Sequence, residues 1–357
     1  MKNLCVIFGG ASSEHDISII TAMQLKKNYT KKSLEMIYLG LDNKFYLATN
    51  VENLQDFSNK NNIKLKEVFI FNGAVYAKGV FMKKCFDIEC VINCCHGGAG
   101  ENGDLAGFLA LNKINFTSSN SLSAHITMDK NLTKVVLRDV VPTVKGELLT
   151  KDNFESRKNV IEKEFSNELI VKPNSMGSSI GVKACSKTDY MDQVMAIFEM
   201  GDNALVEDRI VDIVEYNQAC FKDGEEFVLS EIESPKTKSE FLSFDDKYRG
   251  EQKAKGSDRE IPANITGELK EKICVFTKEI YSTLNLNGVV RIDYIFDRKK
   301  KRLYFNEVNT VPGSMAFYLY EPVGVDYITL IDKIVENATK PTFQTYFDTE
   351  ILKCKKL

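Results

Sequence analysis

Apolar residues fall along this chain in short unbroken runs, and helical spacing fills several of the intervals between them. LCVIFGG (4–10) predicts a buried first strand that stops at two glycines. In ASSEHDISIITAMQLKKN, which follows, Ile17, Ile20 and Met23 share one helix face, and Ser12 or Ser13 is suited to cap the helix. MIYLGLD (36–42), VFIFN (68–72) and CVINCCHGG (90–98) predict further strands, the last running through a Gly-rich loop into a helix around DLAGFLALN. Strands alternating with helices predict a largely parallel sheet, so the expected fold class is α/β.

Small polar residues give way to helical spacing near TSSNSLSAHITMDKNLTKVVLRD (117–139), which places a first boundary there. NELIVKPNSMGSSIGVKAC (167–185) reads as two strands around a loop carrying Gly177, Ser178, Ser179 and Gly181, and NALVEDRI (203–210) as another strand. EYNQACF, EEFVLSEIES, VVRIDYIFD and RLYFNEVNT supply strands for a third unit. Between them FDDKYRGEQKAKGSDREIP (244–262) is charged and nearly free of aliphatic residues, as expected of a mobile surface loop. The expected division is an N-terminal domain at 1–118, a central domain at 119–206, a C-terminal domain at 207–340 and a tail at 341–357.

Composition narrows the class. At 357 residues, with 43% hydrophobic and 27% charged, the chain is long enough for two or three globular domains. Lys and Arg number 47 against 50 acids, so no long-range field favours nucleic acid or an acidic membrane. No apolar run approaches the roughly 20 residues of a membrane helix, and MKNLCVIFGG lacks the apolar stretch of a signal peptide. The expectation is a cytoplasmic protein. Nine cysteines include Cys85, Cys90, Cys94 and Cys95, but there is no CxxC pair, and buried reduced thiols account for them better than a metal site.

The chemistry concentrates at LYFNEVNTVPGSM (303–315) and VVRIDYIFD (289–297). Glu307 and Asn309 stand two apart on a strand and so leave the same face, on which Phe305 is also expected; Arg291 and Asp293 repeat the spacing. The short connection DRKKK makes the two strands antiparallel neighbours, which gathers an arginine, two carboxylates and an amide on one face. Hard oxygen donors of this kind suit Mg²⁺ shared with phosphates, and an arginine network on an open sheet face is the alternative. PNSMGSSIGV, with Lys172 before it, offers backbone N–H groups to phosphate oxygens or is a plain hairpin turn; it is not a Walker A loop. Glu14 and His96 fall at the ends of predicted parallel strands, where open sheets bind ligands, and together they suit a small zwitterion. Taken alone, Glu14 is equally an acid favoured by a helix N-terminus, and His96 a turn histidine.

In order along the chain, FGGASSEHDIS, HGGAGENGDLAGFL, MDKNLTK, IVKPNSMGSSIGV, LVEDRI with EYN, DDKYRG, VVRIDYIFD and FNEVNTVPGSM resemble the D-alanine–D-alanine ligase family of the ATP-grasp superfamily. The resemblance runs from about residue 3 to residue 336. It implies a three-domain ATP-grasp architecture, with ATP held between the central and C-terminal domains. It also implies a two-step reaction in which ATP phosphorylates one D-alanine and the amine of a second attacks the acyl phosphate. By motif, Asp293, Glu307 and Asn309 would ligate two Mg²⁺ ions, with Mn²⁺ able to replace them. Arg291 and the Gly313 N–H would stabilise the transferring phosphoryl group and the oxyanion. Lys130, Lys172 and Lys247 would contact the phosphates, and Glu207 and Glu215 the nucleoside. Glu14 would hold the first ammonium, His96 the first carboxylate region, and Ser178 would join Glu14 and Tyr248 in a triad that shuts the loop. A homodimer working in peptidoglycan precursor synthesis is also implied.

Two departures bear on the acceptor. Where the family carries Ser-x-Ser after NTxPG, this chain has Ala316 and Tyr318, and Asn102 replaces a usual Asp. Tyr248 favours an amine acceptor, yet D-alanine, D-serine and another small amino acid stay open, since discriminating a methyl from a hydroxymethyl rests on roughly 1–3 kcal/mol of pocket shape. The alternatives to the ordinary ligase are therefore a ligase with a changed acceptor and a non-catalytic ATP-binding relative.

Overall fold

The computed structural model describes residues 2–59, 64–235 and 259–342. Its strands form three sheets. The first comprises β1 (Lys2–Gly9), β2 (Leu34–Leu39), β3 (Phe45–Thr49), β4 (Lys64–Phe71), β5 (Ala74–Ala77) and β6 (Lys83–Asn93), closed in that order. β1 pairs in parallel with β2 and with β6, but the pairings from β2 round to β6 are antiparallel. The first sheet is thus mixed where a largely parallel one was expected. Hairpins close it, and the turn between β4 and β5 is Asn72-Gly73, both with positive φ (45° and 79°), the pairing that a tight turn of this kind requires.

β7 (Gly146–Leu149), β8 (Glu168–Pro173), β9 (Lys183–Ser186) and β10 (Ala204–Asp208) form a second sheet in the order β7-β10-β8-β9. The third, in the order β13-β12-β11-β14-β15, contains β11 (Ile213–Asp223), β12 (Glu226–Pro235), β13 (Arg259–Glu260), β14 (Val290–Asp297) and β15 (Arg302–Asn309). One hydrophobic core joins the first strand to the helix Tyr327–Glu336. It packs Leu4, Val6 and Phe8 of β1 and Ile19 and Leu25 of the helix His15–Asn28 against Leu330, Ile331 and Ile334 of the helix Tyr327–Glu336, with Met315 and Leu319 between. The segment after β15 is therefore fixed from both sides.

Cys94 and Cys95 do point to opposite faces. Cys94 belongs to the core shared with Phe8 and Ala316, and Cys95 to the core inside the first sheet. Among the described residues every cysteine is a free thiol, and no three His, Cys, Asp or Glu side chains are grouped to hold a metal. No helix of the described residues is long and apolar enough to cross a membrane.

Candidate active site

β14 and β15 are antiparallel neighbours, with Arg291 opposite Asn309 and Asp293 opposite Glu307. The Arg291 guanidinium donates to both oxygens of Asp293, at 2.7 Å from Nε to Oδ1 and 2.8 Å from Nη2 to Oδ2, and the Asn309 amide donates to Oδ2 at 3.1 Å. Burial works against the arginine's charge, but the adjacent Asp293 carboxylate more than offsets it and holds the guanidinium firmly protonated. Phe305 is not on this face. The register slips between Asp293 and Tyr294, so that Tyr294 opposes Phe305 and Asn306 is the extra residue of a β-bulge. Phe305 turns into the core beside Tyr294, and Asn306 faces the cleft with Glu307.

Asn217 of β11 stands opposite Asp293, and Glu233 of β12 opposite Asn217, which carries the polar row across four strands. At its far end Glu233 is buried and accepts hydrogen bonds from Asn217 Nδ2 and from Tyr318 Oη, both at 2.9 Å. Arg259 stacks over the Tyr318 ring at 4.7 Å. Tyr318 thus forms a wall tied to Glu233, and burial followed by the Glu233 charge keeps its hydroxyl protonated.

Glu14, at the start of the helix His15–Asn28, accepts a hydrogen bond from the Ser178 hydroxyl. Two glycines make room for its carboxylate, since a Cβ on either Gly97 or Gly177 would come within 2.9 Å of Glu14 Oε2. Ser178 has the left-handed φ of 55° that turns its hydroxyl inward. The carboxylate lines a cavity of about 380 Å³ shared with Gly177, Glu101, Lys130, Glu307 and Asn309. His96 is not among the residues lining it. Its ring is buried and hydrogen-bonded through Nε2 to Thr21 Oγ1 at 2.9 Å, and Thr21 Oγ1 in turn accepts from the Ser314 N–H at 3.2 Å. Burial lowers the His96 pKa, with the Glu14 charge opposing.

A larger cleft of about 790 Å³ opens between the second and third sheets and reaches Lys172, Glu207, Glu215, Asn306 and Glu307. Lys172 Nζ sits 2.7 Å from Glu207 Oε2, and Lys134 contacts the other oxygen of the same carboxylate. Burial, opposed by Glu307, lowers the Lys172 pKa to about 8. Lys130 Nζ donates to the Met176 carbonyl at 2.6 Å and so ties the loop 174–181 to the cleft mouth. Lys130, Met176 and Glu307 line both cavities, which therefore meet at Glu307 and Lys130.

The sequence matches two family models, described as the D-ala D-ala ligase N-terminus over residues 3–119 and the D-ala D-ala ligase C-terminus over residues 136–336. The chain belongs to the D-alanine–D-alanine ligase family. A D-alanine–D-alanine ligase of Campylobacter jejuni subsp. doylei is 35% identical over 333 residues, 92% of each chain, and one of Helicobacter acinonychis is 31% identical over 345 residues, 95% of each. The crystal structure of the D-alanine-D-alanine ligase from Helicobacter pylori superposes with a TM-score of 0.77 at 28% identity, covering 95% of this chain and 99% of that one. A D-Ala:D-Ser ligase structure from Enterococcus faecalis reaches a TM-score of 0.80 at 23% identity over 94% of this chain and 98% of its own, which shows the shared fold. The family is one of ATP-dependent ligases, so the alternative of a silent binding protein falls away, and the fold is the expected α/β ATP-grasp fold.

Within this ligase fold the structure brings Glu14 to Ser178, Arg291 and Asn309 to Asp293, Tyr318 to Glu233, and Lys172 to Glu207. Lys247 and Tyr248, the expected lid up to 258 and the chain beyond 342 lie outside the described residues. Asp293, Glu307 and Asn309 fit Mg²⁺ by their chemistry: two carboxylates and an amide leave most of the coordination to substrate oxygens, as this cation prefers. Sequence reasoning missed Lys134, Asn306, Glu233, Arg259 and Glu101. Lys134 follows Lys130 by one helical turn, a spacing that puts both on one face and was there to be read. The Glu101 carboxyl is raised to about 7 by burial and by the Glu14 charge, against the donors that surround it.

Proposed function

We propose that this chain joins two D-alanines at the expense of ATP, for peptidoglycan precursor synthesis in the cytoplasm. The meeting of the two cavities at Glu307 and Lys130 carries the reading, because a nucleotide in the larger cleft then ends where an amino acid in the smaller one begins. The three sheets support assigning residues 1–118 to the first amino acid and 119–206 with 207–340 to the nucleotide. In this arrangement the Glu14 carboxylate holds the ammonium of the first D-alanine and Ser178 orients Glu14. Lys130 and Lys172 neutralise phosphate oxygens, and Glu207, held by lysine, and Glu215 border the nucleoside. Magnesium bound by Asp293, Glu307 and Asn309 would neutralise phosphate charge, which phosphoryl transfer chiefly depends on. Arg291 lies along the path of the transferred group. His96 acts from behind the cavity, fixing Thr21 and through it the Ser314 backbone beside Gly313. Lys247 and Tyr248 are assigned to the phosphates and to the Glu14–Ser178 pair by motif alone, and the homodimer by family.

Lys172→Met raises the KM for ATP about 10- to 100-fold with a smaller effect on the KM for D-alanine, as expected for loss of a charged hydrogen bond. Steady-state kinetics with each substrate varied in turn checks this. The proposed function itself is tested by ADP release from the purified protein with ATP, Mg²⁺ and single or paired amino acids, with products identified by mass. Release that requires D-alanine, does not respond to L-alanine and yields D-alanyl-D-alanine is the expected result; no ADP with any D-amino acid overturns it. The Tyr318 wall favours a second reading, in which the acceptor differs. A mixed dipeptide formed faster than D-alanyl-D-alanine in the same panel would establish that reading.

A further inference from the structure

Glu101 has no part in the mechanism above, yet its carboxylate accepts four hydrogen bonds at the edge of the site. It ends the short helix Gly98–Glu101 that follows β6, and its carboxylate spans two parts of the chain. Oε2 accepts from the Gly97 N–H at 2.9 Å. Oε1 accepts from the Thr310 N–H at 3.0 Å, the Thr310 hydroxyl at 3.2 Å and the Val311 N–H at 3.1 Å. One oxygen therefore holds the glycine whose Cα walls the Glu14 cradle, and the other holds the two residues that follow Asn309. The same carboxylate lines the smaller cavity. Thr310 and Val311 have left the sheet, so their N–H groups have no ladder partner and depend on Glu101 for an acceptor.

Beyond this clamp the backbone runs through Pro312 into Gly313 and then through Ser314, Met315 and Ala316, all at left-handed φ of 52°, 53° and 48°. Three consecutive side-chain-bearing residues in that region are disfavoured and are held only by their surroundings. Asn309 is kept in place by β15, and the end of the segment by the core around Met315 and Leu319. Between these anchors, Glu101 holds the side of Gly313 nearer the sheet and Thr21, through the Ser314 N–H, the other side.

We propose that Glu101 is a positioning residue for the second half of the reaction, fixing the Thr310–Gly313 backbone against the amino-acid cavity so that the Gly313 N–H meets the developing oxyanion. This rests on the ligase reading. In that step the amine nitrogen of the second amino acid bonds to the acyl carbon, the carbon–oxygen bond to phosphate breaks, and phosphate leaves with the electron pair and takes up the proton that the nitrogen gives up. With the N–H misplaced, water competes for the acyl carbon, returning the free amino acid and phosphate after the first step has already formed ADP.

The test is the ratio of ADP to dipeptide for the wild type, Glu101→Ala and Glu101→Gln, with D-alanine as substrate. The wild type gives one dipeptide per ADP. Glu101→Ala lowers dipeptide formation about 100-fold, the scale for losing one oxyanion donor, while ADP release falls less, so that ADP exceeds dipeptide by about threefold or more. Its KM for ATP stays within about twofold, since no ATP contact is removed. Glu101→Gln keeps an acceptor oxygen for Thr310 and Val311 and restores the ratio to near one. If Glu101→Ala does not fold, Glu101→Gln decides alone: a near-wild-type dipeptide rate and ratio support the clamp, and a loss as deep as that of an oxyanion-hole deletion refutes it. Loss of ADP and dipeptide in equal measure, or no loss, overturns the proposal while the ligase reading stands. A wild type that releases no ADP with D-alanine overturns both.

Discussion

Asp293→Asn lowers kcat for dipeptide formation by about 1,000-fold or more, close to 4 kcal/mol of transition-state stabilisation. The change is nearly isosteric, so the loss comes from charge. Asp293 anchors the Arg291 guanidinium with two hydrogen bonds, accepts from Asn309 and stands opposite Glu307. The neutral amide weakens the cation site and leaves Arg291 with a single acceptor, and the guanidinium then loses its fixed orientation. Removing a charged partner from a buried pair costs about 3–5 kcal/mol, and the remaining amide oxygen and the partial exposure of this pair reduce that figure. A fall of a few degrees in Tm therefore accompanies the loss of activity. Kinetics at saturating Mg²⁺ and thermal denaturation without Mg²⁺ separate the two effects. Turnover within tenfold of wild type would show that Asp293 is an arginine anchor and no part of a metal site.

Glu14→Gln raises the KM for the first D-alanine by about 100-fold and leaves the KM for ATP nearly unchanged. The cradle between Gly97 and Gly177 is shaped to a carboxylate, and the Ser178 hydroxyl already donates into it. A glutamine there loses the charge that pairs with the ammonium, and its NH₂ group faces either Ser178 or the incoming cation, each of which is a donor. Ser178→Ala, which leaves the charge and removes only its orientation, is expected to cost about 1 kcal/mol. Initial rates with D-alanine varied at saturating ATP distinguish these. An unchanged KM in Glu14→Gln would move the ammonium elsewhere in the cavity, with Glu101 and Glu307 the other carboxylates on its wall.

The face carrying Arg291, Asp293, Glu307 and Asn309 was legible because strand period is two and a four-residue connection leaves two strands little choice but to pair. Phe305 broke the pattern because a single extra residue, Asn306, reverses the alternation, and nothing in one sequence marks a bulge unless a glycine does. The mixed character of the first sheet did have a signal in Asn72-Gly73, outweighed by the alternation of strand-like and helix-like runs. His96 was read as a ligand-facing residue from its place at a strand end, whereas its ring turns inward to Thr21.

By itself, the sequence determined the class of the fold, the family, and the residues able to carry phosphate, cation and amino acid, because period, turn chemistry and short-range spacing are local properties. Only the tertiary structure decided that Glu101 meets Thr310 across 209 positions and that Tyr318 meets Glu233 across 85. The physical reason is that a buried polar group must find a partner wherever the packed chain supplies one. Which partner that is depends on how the three sheets sit against one another, and no local pattern records it.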